Sequence, residues 1–147
     1  MSLAPIPAKP AILIVTALLA ALAIGGCSTP AVGAPCLPEQ IPDTGFDPRE
    51  AYIESSSVQC ETRVCMVYQL AGDPTCAPGS AQSTPEHKCA ETKDVEDSVY
   101  CTCRCDSGGS GFGECECPDG FSCVEVLTKG GPGVRGGYCV KNSTVTR

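Results

Sequence analysis

The 147-residue chain contains no tryptophan, only three phenylalanines and four tyrosines, and a single histidine. A chain with so few large aromatic side chains buries little apolar surface per residue, so a hydrophobic core alone would stabilise it only marginally. Its length limits it to one small domain. Something other than apolar packing must therefore supply much of the stability.

The sequence also lacks the patterns that carry most enzymatic chemistry. It has no Cys-x-x-Cys pair, which disfavours a thiol oxidoreductase and a common kind of zinc site. His87, Asp94 and Ser107 follow the chain order of a trypsin-like triad, but the twenty residues between His87 and Ser107 cannot build the two barrels of that family. His87 lies in a polar loop and is expected to be solvent-exposed. We predict no enzyme, no catalytic residues, no metal and no cofactor.

Positive charge is scarce as well. The chain has ten Lys and Arg residues and 17 Asp and Glu residues, and its formal net charge is −7. Because such a chain repels phosphate groups, we expect no nucleic-acid partner. The acidic residues Asp94, Glu96 and Asp97 lack the spacing of an EF-hand calcium loop, so we interpret them as a solvated surface.

Cysteine, in contrast, is abundant, with 13 residues in the chain. This density is typical of a disulfide scaffold made in an oxidising compartment. An odd number leaves one cysteine without a partner. If Cys27 is modified and does not form a disulfide, twelve cysteines remain for six bridges. These candidates are Cys36, Cys60, Cys65, Cys76, Cys89, Cys101, Cys103, Cys105, Cys115, Cys117, Cys123 and Cys139.

Residues 1–26 have the pattern of an export signal. One charged side chain, Lys9, precedes the 14 residues 11–24, which are apolar apart from Thr16. A helix needs about 20 apolar residues to span a bilayer, so this run is too short for a comfortable span and matches the core of a cleavable signal peptide.

Ile24, Gly25, Gly26 and Cys27 follow this run directly. They resemble the lipobox of bacterial lipoproteins, in which a branched apolar residue and two small residues precede an invariant cysteine. The resemblance implies cleavage between Gly26 and Cys27, a palmitate-type lipid anchor on Cys27 and attachment to a membrane. Ser28, where an aspartate would retain a lipoprotein in the inner membrane, implies the outer membrane. The whole chain looks like the cysteine-rich lipoproteins of the bacterial envelope, which implies no particular activity.

The organisation predicted after the leader is a lipidated cysteine with a proline-rich spacer over 27–45 and a domain over 46–147. Four prolines exclude regular structure from the spacer. At about 3.1 Å per residue it would hold the domain up to roughly 50 Å from the membrane, with Cys36 attaching its distal half to the domain.

We predict a small, disulfide-rich, mainly β domain with short antiparallel strands, long Gly- and Pro-rich loops and little helix. Residues 47–50 have a helix-start pattern, whereas 52–55 equally suit an edge strand, and the sequence leaves both open. Flexible Gly-rich loops are expected at 108–113 and 129–137. Strands are predicted at 62–70, 95–104, 114–117, 123–127 and 138–140.

Five cysteines, Cys101, Cys103, Cys105, Cys115 and Cys117, stand at alternate positions, and alternate side chains of a strand share a face. Their sulfurs are expected to converge, either as a thiolate metal cluster or as partners of distant cysteines. Export favours disulfides. The first three are too close in sequence to pair with each other, so each should tie its strand to a distant segment.

Residues from Cys115 to Cys139 are similar to the second half of an EGF-like module, a resemblance that implies a tight turn at Pro118, Asp119 and Gly120. The function expected from all these features is a lipid-anchored, extracytoplasmic binding or structural module of the cell envelope. Its Gly-rich loops are the candidate contact surface for an envelope protein or a glycan. The alternative is an envelope metal-binding protein or enzyme that uses the five-cysteine cluster.

The lipid anchor is directly testable. Cells that express the full chain and are fed an alkyne fatty acid should label the protein, because Cys27 carries the acyl groups. The Cys27→Ala variant should lose the label and keep its leader. Equal labelling of both proteins would contradict the lipobox interpretation.

Overall fold

The computed structural model describes residues 31–109 and 114–145. The predicted signal peptide, Cys27 and residues 110–113 of the first Gly-rich loop lie outside the described residues. The described chain forms two three-stranded antiparallel sheets and two short helices, cross-linked by disulfides. This confirms the predicted disulfide-rich, mainly β fold. Neither described helix is long and apolar enough to cross a membrane.

The first sheet contains β1 (Ala51–Ser55), β2 (Val64–Tyr68) and β3 (Val99–Thr102), in the order β1-β2-β3. β2 confirms the strand predicted within 62–70, and β1 confirms the edge-strand alternative. The other alternative, a helix that starts at residues 47–50, is not formed. The carboxylate of Asp47 accepts a hydrogen bond from the backbone N–H of Arg49 at 2.9 Å, which closes a turn instead.

Helix α1 (Thr92–Ser98) corrects the strand predicted over 95–104, of which only 99–102 and residue 104 lie in strands. Lys93 and Asp97 are one helical turn apart and form an ion pair at 2.7 Å. Val95 packs on the core beside buried Val99. Because these valines are four residues apart, they suit one face of a helical turn that continues into a strand.

The second sheet contains β4 (Arg104–Asp106), β5 (Phe121–Leu127) and β6 (Gly136–Lys141), in the order β4-β6-β5, and is followed by helix α2 (Asn142–Val145). β5 and β6 confirm the strands predicted at 123–127 and 138–140. Residues 114–117 do not form the predicted strand. Cys115 makes one backbone hydrogen bond to Arg104, and bridges at Cys115 and Cys117 hold this segment.

The first sheet is the middle layer, because both of its faces are covered. Cys65 and Cys101 point to one face, where a core forms with Leu70 and parts of the surrounding loops. Met66 and Tyr100 point to the other, where the second sheet packs on them. Alternation along β2 and β3 therefore divides the buried side chains between two small cores.

All twelve cysteines in the described residues form disulfides, which confirms the predicted scaffold. Cysteines up to Cys101 pair among themselves, and cysteines from Cys103 onward pair among themselves, so each half of the chain has three bridges of its own. As predicted, Cys101, Cys103 and Cys105 tie to three different distant segments. The pairs are Cys36–Cys65, Cys60–Cys101, Cys76–Cys89, Cys103–Cys115, Cys105–Cys123 and Cys117–Cys139.

Residues 31–46 are packed on the domain rather than extended away from it. Gly33 and Ala34 hydrogen-bond to Cys101 at 2.8 Å, and Phe46 exchanges two backbone hydrogen bonds with Gly72. Cys36, in the middle, is bridged to β2 as expected. The described part of the predicted spacer is thus a folded part of the domain, and the expected reach of roughly 50 Å does not apply.

Reduction of the six bridges without denaturant should unfold the domain. Few large side chains are fully buried, Tyr100, Met66 and Leu70 being the largest. A bridge typically contributes about 2–4 kcal/mol by restricting the unfolded chain, and a whole domain is stable by only about 5–15 kcal/mol. The amide NMR signals should lose their dispersion after reduction and alkylation, but not after alkylation alone. A reduced domain with dispersed signals would show that the apolar cores suffice.

Candidate functional site

An open groove of about 330 Å³ lies between the β1–β2 turn and the second sheet, and it is the candidate binding site. Its volume is near the lower end of the about 300–1,000 Å³ typical of small-molecule sites. Both halves of the chain contribute to it. The lining residues are Ser55, Thr62, Val64, Cys103, Arg104, Glu114, Cys115, Gly133, Val134 and Tyr138.

The first wall is the turn between β1 and β2. Ser56 and Arg63 have left-handed φ angles of 79° and 62°, which are uncommon for residues other than glycine. The bridge between Cys60 and Cys101 ties this turn to β3. The hydroxyl of Thr62 is buried in this wall and has no hydrogen-bond partner among the described residues, which is rare for a buried polar atom.

The second wall is the Gly-rich loop before β6. The Arg104 guanidinium donates hydrogen bonds to the carbonyls of Pro132 at 3.0 Å and Arg135 at 3.5 Å. The Tyr138 hydroxyl donates to the carbonyl of Val134, and burial raises the pKa of Tyr138. These bonds connect the loop, which the sequence predicts to be flexible, to β4 and β6.

Charges of both signs line the groove. Glu114 accepts a hydrogen bond from the backbone N–H of Ser107 at 2.8 Å. Hydrogen bonds from Ser107 lower the pKa of Glu114, and the nearby positive charge of Arg104 lowers it further. Glu114 is therefore ionised at neutral pH. Together with the apolar Val64, these charged groups suit a ligand that offers both polar and apolar contacts.

The sulfurs converge as expected, but the cluster forms around Cys139 and does not include Cys101. The sulfur of Cys139 lies 3.7 Å from that of Cys103 and 3.8 Å from that of Cys115. It also lies close to the sulfurs of Cys105 and Cys117. Cys101 belongs to the other half, since it is bridged to Cys60. Every sulfur in the cluster is in a disulfide, so a metal could bind only after reduction.

His87 was predicted to be solvent-exposed, but its side chain is only 27% exposed. Its Nε2 lies 2.9 Å from a carboxylate oxygen of Asp73, and its Nδ1 contacts the carbonyl of Asp43. The carboxylate partner of His87 is therefore Asp73, not the Asp94 of the trypsin-like chain order. Since both ring nitrogens face acceptors, His87 holds two loops together and offers no lone pair to a substrate.

One wall of the groove, the Gly-rich loop, was predicted from the sequence as a contact surface, whereas Thr62, Val64 and Arg104 were not. A signal for Arg104 was present. It stands between Cys103 and Cys105 in an extended segment, so alternation places it on the face opposite to both sulfurs. No comparable signal marks Thr62, whose position depends on the shape of a turn.

No protein-family model matches the sequence, and no curated protein or solved structure matches it significantly. The function of this chain is therefore inferred from its own residues and their geometry. A fold by itself hosts many functions, so the groove carries more weight than the sheet arrangement.

The His87 contacts predict a pH dependence of stability. The hydrogen bond to the Asp43 carbonyl raises the pKa of His87 above its ordinary 6.5, burial opposes this, and Asp73 raises it further. The stabilisation is therefore complete below pH 6.5 and is lost as pH rises through the raised pKa. The melting temperature should fall between pH 5.5 and 8.5, and this fall should be absent from His87→Gln. His87 is the only histidine, so an equal fall in the variant would contradict the assignment.

Proposed function

We propose that this protein is a lipid-anchored binding module of the bacterial cell envelope, attached to the outer membrane through Cys27. Its ligand site is the groove between the β1–β2 turn and the Gly-rich loop. The observation that carries the proposal is the groove itself, whose first wall is fixed by the Cys60–Cys101 bridge and whose second wall is held by hydrogen bonds from Arg104 and Tyr138. Pre-formed walls of this kind bind a ligand at low cost in conformational entropy.

Six disulfides support a location outside the cytoplasm, where such bridges form and persist. Removal of the leader would also remove Lys9 and leave a net charge of about −8. Anionic polymers are therefore poor ligands, and nucleic acid is not a partner. A neutral or basic ligand suits the electrostatics of the module better.

Between the two expected ligands, an envelope protein is favoured over a glycan. Sugar rings usually stack on an exposed aromatic face, but the aromatic residue of the groove, Tyr138, is only 2% exposed. The groove instead offers apolar contact at Val64 and Val134 and two charged groups, Arg104 and Glu114. These features suit a short peptide segment with one apolar side chain and a polar backbone.

A second candidate function is metal binding by the sulfur cluster around Cys139. Its support is the 3.7–3.8 Å separation between sulfurs of different bridges, which would place thiolates close together after reduction. A role in catalysis would need the same reduction. Metal analysis together with thiol titration of the purified protein separates this candidate from the first.

Two glycines of one loop provide a matched test of the groove. Gly133 lines the groove and Gly131 does not, and a Cβ at either position meets no atom within 4 Å. Gly133→Phe should therefore fill the groove without disturbing the fold, whereas Gly131→Phe adds the same ring outside it. Peptides selected from a random library on the wild-type domain should bind Gly131→Phe equally and Gly133→Phe at least tenfold more weakly, about 1.4 kcal/mol.

Peptidoglycan fragments should be titrated in parallel with the selected peptides. Fragments that bind the wild-type domain and are blocked by Gly133→Phe would move the ligand class to glycans. Peptides that bind both variants equally would overturn the groove as the site. Stoichiometric metal in a protein with several free thiols would favour the second candidate function.

A further inference from the structure

The first described residues are held firmly by the rest of the domain. Gly33 donates a backbone hydrogen bond to Cys101, and Ala34 accepts one from Cys101, both at 2.8 Å, so this segment continues the open edge of β3. Cys36 is bridged to Cys65 in the central strand. A Cβ at Gly33 would lie 2.9 Å from the Phe121 ring, so the second sheet also packs closely on the segment.

Very little chain separates this held segment from the lipidation site. Cys27 and Ala31 are four residues apart in sequence. Because an extended chain advances at most about 3.3–3.6 Å per residue, Cys27 can lie no more than about 14 Å from Ala31. The polar layer of one leaflet is itself about 5–8 Å thick. The domain thus has almost no freedom to move away from the membrane.

We infer that the folded domain rests directly on the bilayer surface, with the face formed by residues 31–36 and α1 turned toward the headgroups. The inference rests on the proposed lipidation of Cys27. A shallow, mainly apolar groove of about 280 Å³ opens on this face, between Pro35 and Val95. The surface partner of this face is therefore lipid, and the binding groove described above lies on a different set of residues.

The contact is imposed by the length of the covalent link and not by charge. Helix α1 carries Asp94, Glu96 and Asp97 against one lysine, Lys93, so anionic headgroups would repel this face. The contact should therefore form on zwitterionic vesicles and persist at high salt, where surface electrostatic attraction is screened.

The absence of tryptophan makes a clean experiment possible. Ala31→Trp and Glu96→Trp place single fluorophores at exposed positions on the proposed face. Thr128→Trp is the control, since Thr128 is exposed and follows Leu127, which lies about 20 Å along β5 from Phe121, the residue whose ring packs on Gly33. Each full-length lipidated protein is reconstituted into phosphatidylcholine vesicles that contain a headgroup-labelled nitroxide lipid.

Fluorescence of the two face variants should be quenched at least twofold more than that of Thr128→Trp, at low and at high salt. Insertion of a 20-residue Gly/Ser spacer between Thr29 and Pro30 should abolish the difference, since such a spacer extends over about 25 Å. Proteins that float with the vesicles but show equal quenching at all three positions would overturn this inference and leave the lipid anchor standing. A protein that does not float would refute the lipid anchor, and the inference with it.

Discussion

The hydrogen bond from the Thr102 hydroxyl to the carbonyl of Cys139, 2.7 Å long, closes the junction on which both sheets depend. Thr102 is the last residue of β3, and Cys103, which follows it, accepts a hydrogen bond from the N–H of Cys139. One fully buried residue thus connects the two sheets by its backbone and by its side chain. Each sheet gains stability because it covers an apolar face of the other.

The existence and type of most strands could be predicted, because β-branched and aromatic residues cluster in them and cysteines alternate along them. Helix α1 could not, since Val95 and Val99 suit a helical face as well as the start of a strand. The pairing of the cysteines was also beyond sequence reasoning. It depends on which segments meet in three dimensions, and the sequence shows only that neighbours two residues apart do not pair.

The proline-rich segment shows how composition can mislead. Four prolines exclude a helix or a central strand, but they do not prevent a chain from lying along a sheet edge with two hydrogen bonds and a bridge. The candidate groove was only half predictable for a related reason. Its walls come from segments about seventy residues apart, and Arg104 restrains a loop whose glycines alone suggest mobility.

The division of the disulfides at Thr102 has a mechanical consequence. Since three bridges close on each side, a pulling force applied between Ala31 and Val145 would pass from one half to the other through a single backbone connection. The halves would separate as Met66 and Tyr100 lost their contacts with the second sheet, while every disulfide stayed intact. Under load the domain would therefore extend as two cross-linked units joined by the backbone at Thr102.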